Sequence, residues 1–75
     1  MIATETKHMK SGDIFWFEFN SELIFDLIIF NDGITCLLYR YSNSTNDLND
    51  CTEQLHMVRL NVEKEPKMFY LSRIN

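Results

Sequence analysis

Two short apolar runs near the start of the chain constrain its fold most strongly. They are DIFWFEF, residues 13–19, and LIFDLIIF, residues 23–30, separated only by Asn20-Ser21-Glu22. Both runs are rich in β-branched and aromatic residues, and their length is that of a strand rather than a helix. The sequence therefore predicts two consecutive strands here.

The segment FNDGIT, residues 30–35, predicts a β-hairpin. Asp32-Gly33 suits a two-residue type I′ turn, because both central residues need positive φ and Gly33 provides it without strain. This turn would join 23–30 to ITCLLYRY (34–41) and place Asp26 opposite Tyr39. A three-residue loop with a bulge would shift the pairing by one residue, so the hairpin is predicted but its register is open.

The second half of the chain predicts two more strands, LHMVRLNV (55–62) and MFYLSRI (68–74), after a polar connection. Five short antiparallel strands in 75 residues would most simply close into a small SH3-like or Sm-like barrel, because closure hides the free sheet edges. We therefore expect an all-β protein. The alternative is an α+β fold with one helix at about 46–58, where Leu48, Cys51, Leu55 and Val58 recur at helical spacing.

The expected domain organisation is simple. Residues 1–10 are polar and unpatterned, which predicts a flexible N-terminal arm or a weak edge strand. Residues 11–75 are expected to form a single small β-rich domain. Nearly half of the residues are hydrophobic, so this domain can build a core without covalent staples.

Charge and cysteine usage limit the classes of partner and the location. The formal net charge of −4 disfavours binding to nucleic acid, where Lys and Arg supply most of the affinity, and to anionic membranes. The N-terminus lacks the apolar run of a secretory signal, and LIFDLIIF is too short to span a membrane. We expect a cytoplasmic protein in which Cys36 and Cys51 stay reduced.

The sequence contains no pattern that predicts catalysis or metal binding. His8, His56, Cys36 and Cys51 show no metal-ligand spacing, and two glycines cannot build a phosphate-binding loop. Cys51, five residues before His56, is the only pairing of a nucleophile with a base, and that spacing indicates no contact. We therefore expect a non-enzymatic protein without a metal or cofactor.

One segment resembles a known family. KSGDIFWFEF, residues 10–19, is similar to the opening strand of the MazF/PemK-type endoribonuclease toxins, which begin with a Gly-Asp-Ile-x-Trp-like segment on an SH3-like barrel. Those toxins continue with an Arg-Pro-containing second strand that helps to cleave RNA. LIFDLIIF has neither residue, so the resemblance implies the barrel and not the activity.

The alternation within the strands predicts one unusual surface. In DIFWFEF, the phenylalanines Phe15, Phe17 and Phe19 are expected to face the core, which leaves Ile14, Trp16 and Glu18 outward. In LIFDLIIF, the face that carries Asp26 is expected to be outward, because burying an unpaired carboxylate is costly. The predicted partner-binding residues are Trp16, Glu18, Asp26, Ile28, Tyr39 and Tyr41, with Phe30 and Tyr70 as further apolar residues left outside the core.

This surface favours a protein-interaction module, because Trp and Tyr are enriched at binding hot spots. The expected partner is a host protein with a basic and apolar surface. Small size and a predominance of amino acids that AT-rich codons encode suggest a phage-type inhibitor or regulator. A homodimer interface is the other use of such a surface.

The alternative function is single-stranded nucleic-acid or nucleotide binding, with charge from Lys7, Lys10, Arg40, Arg59 and Arg73. A toxin-type ribonuclease that depends on Arg40 or His56 is the third.

Overall fold

The structure is a computed structural model that describes residues 1–43 and 54–74, with side chains for 1–42 and 55–74. Within these ranges the chain forms seven strands and one short 3₁₀ helix, Thr6–His8, and no α-helix. The strands are β1 (Ile2–Glu5), β2 (Ile14–Phe19), β3 (Glu22–Asn31), β4 (Thr35–Asn43), β5 (Gln54–Asn61), β6 (Lys67–Tyr70) and β7 (Ser72–Ile74). The prediction of a mostly-β protein is confirmed.

The strands form two antiparallel sheets. The larger sheet has the order β5-β4-β3-β2-β7, and β1 pairs with β6 in a second, two-stranded sheet. Neither sheet closes on itself in the part of the chain that is described, so the barrel is not confirmed. Residues 54–58 of the alternative helix are strand, and the rest of that helix, 46–53, lies outside the described residues. The described residues contain no helix that could cross a membrane.

The turn between β2 and β3 brings the two apolar runs together. Phe19 pairs with Glu22, and the two residues between them, Asn20 and Ser21, have φ of 51° and 63°. Positive φ at both central positions is what a type I′ turn requires, and its twist matches that of the flanking strands. Asn20 adopts this conformation more readily than most residues, whereas Ser21 is strained by it.

The predicted β3–β4 hairpin is present, but the type I′ turn at Asp32-Gly33 is wrong, because Gly33 has positive φ and Asp32 does not. Gly33 has a φ of 86°, and the side-chain carboxylate of Asp32 accepts hydrogen bonds from the backbone N–H groups of Ile34 and Thr35. Asn31 lies opposite Cys36 rather than Ile34, which moves the pairing by two residues, and a bulge between Ile28 and Phe30 moves it back by one, so that Asp26 lies opposite Arg40 instead of Tyr39. This shift determines which side chains share a face of the sheet.

The core lies between the two sheets. It contains the buried residues of both sheets and two from the connecting segments: Met9, Phe15, Ile28, Cys36, Leu38, Leu60, Val62 and Tyr70. Phe15 is buried as predicted, but Phe17 is half-buried and Phe19 is exposed. The second sheet covers only part of the first, so the end of β2 extends past the core.

The N-terminal residues are part of the packed structure, in contrast to the predicted flexible arm. Ile2–Glu5 pair with β6, which corresponds to the edge-strand alternative. The side chains of Thr6 and Met9 are buried, and the Asn31 side-chain amide donates to the Thr6 carbonyl at 2.8 Å and to the Met9 carbonyl at 2.9 Å. These contacts join the segment to β3.

Candidate functional site

Asp26 and Ile28 do not lie on the predicted binding surface. Asp26 has 0% exposure and Ile28 has 1%, so the prediction that this face of β3 points outward is wrong. Burial of the carboxylate is tolerated because it is fully paired: Arg40 Nε lies 2.8 Å from Oδ1, Arg40 Nη2 lies 2.9 Å from Oδ2, and the Tyr70 hydroxyl donates to Oδ2 at 2.9 Å. A bidentate, hydrogen-bonded ion pair offsets the desolvation that an isolated carboxylate would suffer.

Aromatic rings pack around this ion pair. The Tyr70 ring stacks on Phe15 with ring centroids 4.8 Å apart, and the Arg40 guanidinium lies over the Phe17 ring at 5.2 Å. Burial, and next the charge of Asp26, raise the pKa of Tyr70 well above its usual range. The hydrogen bond to Asp26 raises the pKa of Arg40. We interpret the cluster as a structural connection between the sheets.

The opposite face of the five-stranded sheet is apolar over most of its width. Directly opposed residues of antiparallel strands share a face, so the register defines cross-strand rows. One row runs Ile74, Ile14, Leu27, Tyr39 and Met57, and the next runs Ser72, Trp16, Phe25, Tyr41 and Leu55. We call the nine apolar and aromatic residues of these rows the outer apolar face. None of its residues is charged.

Solvent reaches the outer apolar face along its whole length. Leu55 is 61% exposed at one edge, Leu27 is exposed in the middle of the sheet, and Ile74 is exposed at the other edge. The aromatic residues between them are half-buried, and the rings of Phe25 and Tyr41 contact each other with centroids 6.3 Å apart. No element of the described residues packs over this face, because β1 and β6 cover the other side of the sheet.

The predicted site residues therefore separate into two groups. Trp16, Tyr39 and Tyr41 lie on the outer apolar face, and Glu18 is exposed at its border, in the next row. Asp26 and Ile28 lie in the core, as does Tyr70. Sequence reasoning missed the other members of the face: Ile74, Phe25, Leu27, Leu55 and Met57. The bulged register would have identified Phe25 and Leu27, because it places them opposite Tyr41 and Tyr39.

The remaining chemistry-bearing residues do not form a site in the described part of the chain. Cys36 is buried, and burial followed by the charge of Asp26 raises the pKa of its thiol. His56 lies on β5 opposite Arg40, while Cys51 lies outside the described residues. Among residues 1–43 and 54–74, no three His, Cys, Asp or Glu side chains cluster as metal ligands would.

Comparison with protein-family models, with curated proteins and with solved structures gives no match for this chain. The outer apolar face is therefore the candidate functional site of this protein.

Proposed function

We propose that this protein is a small non-enzymatic interaction module that binds a partner protein through the outer apolar face. The observation that carries the proposal is that nine apolar and aromatic side chains lie next to one another on a solvent-exposed sheet face without a charge among them. In many antiparallel sheets one face is exposed to water, and the residues on that face are then mostly polar. A contiguous apolar face is typical of an interface.

The size of the outer apolar face is adequate for binding. A fully exposed large side chain presents about 150–200 Å², so the exposed fractions of these residues add up to on the order of 500 Å². Monomeric proteins rarely expose a larger contiguous apolar patch, and one side of a standard protein interface buries about 800 Å². The face would thus supply most of one side of such an interface.

Trp16, Tyr39 and Tyr41 are the proposed anchors. Aromatic side chains that are already held by neighbours lose little conformational entropy on binding, and Trp and Tyr dominate hot spots for this reason. The exposed carboxylate of Glu18 borders the face, and the whole chain carries a net charge of −4. A partner with an apolar patch and basic residues around it fits this arrangement.

Two charge insertions at equally exposed positions test the proposal. Leu55→Glu places a carboxylate on the outer apolar face, and Phe69→Glu is the matched control, because both residues are 61% exposed but Phe69 lies on the two-stranded sheet. Each immobilised variant is incubated with nuclease-treated lysate of the source cells. We expect wild type and Phe69→Glu to retain the same protein and Leu55→Glu to lose it, with unchanged circular dichroism.

Two results would contradict the proposal. One is that all three proteins retain the same material, which would place any binding elsewhere on the molecule. The other is that none retains a protein and each has the 9.0 kDa mass of a monomer in solution. A doubled mass that Leu55→Glu alone returns to 9.0 kDa would identify the partner as a second copy of this chain.

The proposal includes two more specific predictions, one about the class of protein and one about the type of fold. Small size and a predominance of amino acids that AT-rich codons encode favour an inhibitor or regulator of the phage type that acts in the host cytoplasm. The predicted number of five short antiparallel strands favours an SH3-like or Sm-like barrel.

A further inference from the structure

A second surface feature lies at the end of the molecule where the N-terminal segment meets β3 and β7. Residues from these three parts of the chain line one recess. We call it the basic recess, after Lys7, His8, Lys10 and Arg73. Ile29 and Phe30 form its apolar wall.

The basic recess concentrates cations in an otherwise acidic protein. It holds three of the seven Lys and Arg residues and one of the two histidines. Glu5 lies 3.6 Å from Lys7 and 3.2 Å from His8, and Asp13 Oδ1 lies 2.8 Å from Arg73 Nη2. Within the described residues, the Lys10 ammonium has no carboxylate at ion-pair distance. The cations exceed the carboxylates by one charge, and by two when His8 is protonated.

Hydrogen bonds hold the walls of the basic recess in place. The Asn31 side chain donates to two carbonyls of the N-terminal segment, and its Oδ1 accepts from Gly33 N–H at 2.9 Å. The Ser11 hydroxyl donates to the Ile29 carbonyl at 2.9 Å, and the Lys10 backbone N–H donates to Asp13 Oδ2 at 2.9 Å. A ligand would find these walls already ordered, which lowers the entropic cost of binding.

The basic recess also offers an aromatic surface. Phe30 is 47% exposed, lies at the bulge of β3 and lines the same recess as the cations. An exposed ring next to Lys and Arg side chains is the combination that proteins use to bind nucleotides: the base stacks on the ring, and the phosphate contacts the cations.

We propose that the basic recess binds a nucleoside phosphate, either free or as one nucleotide of a single strand. The base would stack on Phe30 and the phosphate would lie among Lys7, Lys10 and Arg73. Binding would be tolerant of base identity, because Asn31 is fully used by backbone partners and the Ser11 hydroxyl already donates to Ile29. Phe30 lies opposite Leu37 and so borders the outer apolar face, but the basic recess shares no residue with the nine that define that face.

The test is a titration of ¹⁵N-labelled protein at low ionic strength with adenosine monophosphate, adenosine, inorganic phosphate and a short oligothymidylate. We expect amide shifts at residues 7–11, 29–31 and 73, with the monophosphate binding more tightly than adenosine or phosphate alone. If the oligonucleotide binds more tightly than the monophosphate, the natural ligand is a single strand. Equal affinity identifies a free nucleotide.

Two pairs of variants assign the contacts. Phe30→Ala should weaken monophosphate binding about fivefold or more, whereas Phe69→Ala, which removes an exposed ring elsewhere, should not. Lys10→Gln should reduce the slope of log affinity against log salt for the oligonucleotide by about 0.7, whereas Lys64→Gln should leave it unchanged. Leu55→Glu should bind nucleotide as wild type does, so the two proposals fail separately.

The proposal is overturned if no ligand shifts these amides, or if Phe30→Ala and Lys10→Gln bind the monophosphate as tightly as their controls. It is also overturned if inorganic phosphate binds as tightly as the nucleotide, since the ring would then contribute nothing.

Discussion

The buried ion pair between Asp26 and Arg40 should be asymmetric in its response to mutation. Asp26 has 0% exposure, whereas the Arg40 side chain is 29% exposed and can reach water when its partner is removed. Arg40→Met leaves a buried carboxylate with only the Tyr70 hydroxyl as a side-chain partner. Breaking a buried pair in this way costs about 3–5 kcal/mol. A 75-residue domain has a total stability of roughly 4–11 kcal/mol, so the variant should be close to unfolding.

A second substitution tests the cause of that loss. Adding Asp26→Asn to Arg40→Met removes the buried charge and keeps an acceptor for the Tyr70 hydroxyl, so about 2 kcal/mol or more should be recovered. Asp26→Asn alone should cost less than Arg40→Met, about 1–3 kcal/mol. Arg59→Met is the control, because Arg59 is an exposed arginine of the same sheet, and we expect a change within about 0.5 kcal/mol.

Urea denaturation followed by circular dichroism at neutral pH measures these free energies of unfolding. If Arg40→Met costs no more than Arg59→Met, or if the double variant is as unstable as the sum of the two single ones, the carboxylate is not held as described. Either result would show that the pairing of Asp26 with Arg40 does not stabilise the core.

Three further predictions concern single residues. The pKa of Tyr70 is raised on folding, so its stabilising contribution is complete below pH ~10 and is lost as the pH rises further. The free energy of unfolding should fall by up to about 1.4 kcal/mol per pH unit above that point, and urea denaturation should show a smaller slope for Tyr70→Phe. Ser21→Gly should raise the free energy of unfolding by about 0.5–1 kcal/mol, because glycine adopts positive φ without strain; a lower urea midpoint would refute this. The Cys36 thiol should resist iodoacetamide until the protein unfolds, as read by mass spectrometry of its peptide, and equal labelling with and without urea would contradict its burial.

The strands could be predicted from the sequence because their signals are local. DIFWFEF and LIFDLIIF have the length and composition of strands, and Asn20-Ser21 and Asp32-Gly33 mark the two turns that join them to each other and to β4. The alternation within β2 also placed Trp16 and Glu18 on the side of the sheet away from the core. These inferences needed only neighbouring residues.

The face of β3 could not be predicted in the same way. LIFDLIIF is apolar on both sides, so Asp26 was the only residue that distinguished them. The expectation that a carboxylate faces water led to the wrong face of β3, because the carboxylate of Asp26 is paired with Arg40 and Tyr70 in the core. Tyr70 is 44 residues from Asp26 in the sequence. Arg40 lies opposite Asp26 only because of the bulge after Ile28.

The burial of Met9 and Thr6 was missed for a related reason. Residues 1–10 show no periodicity of their own, and their position depends on β6 and on the side chain of Asn31. Such contacts are between distant parts of the chain and leave no pattern in a short window. The sequence named Lys7, Lys10 and Arg73 as cations for nucleotide binding, but their meeting in the basic recess depends on such distant contacts.

The most direct test of the central claim uses a photo-crosslinking amino acid at position 55 and, separately, at position 69. Both positions are equally exposed, but only Leu55 belongs to the outer apolar face. After irradiation in source cells, we predict one dominant crosslinked protein from position 55 and none from position 69. The same products from both positions, or crosslinks from position 69 alone, would contradict the assignment of the outer apolar face as the binding surface.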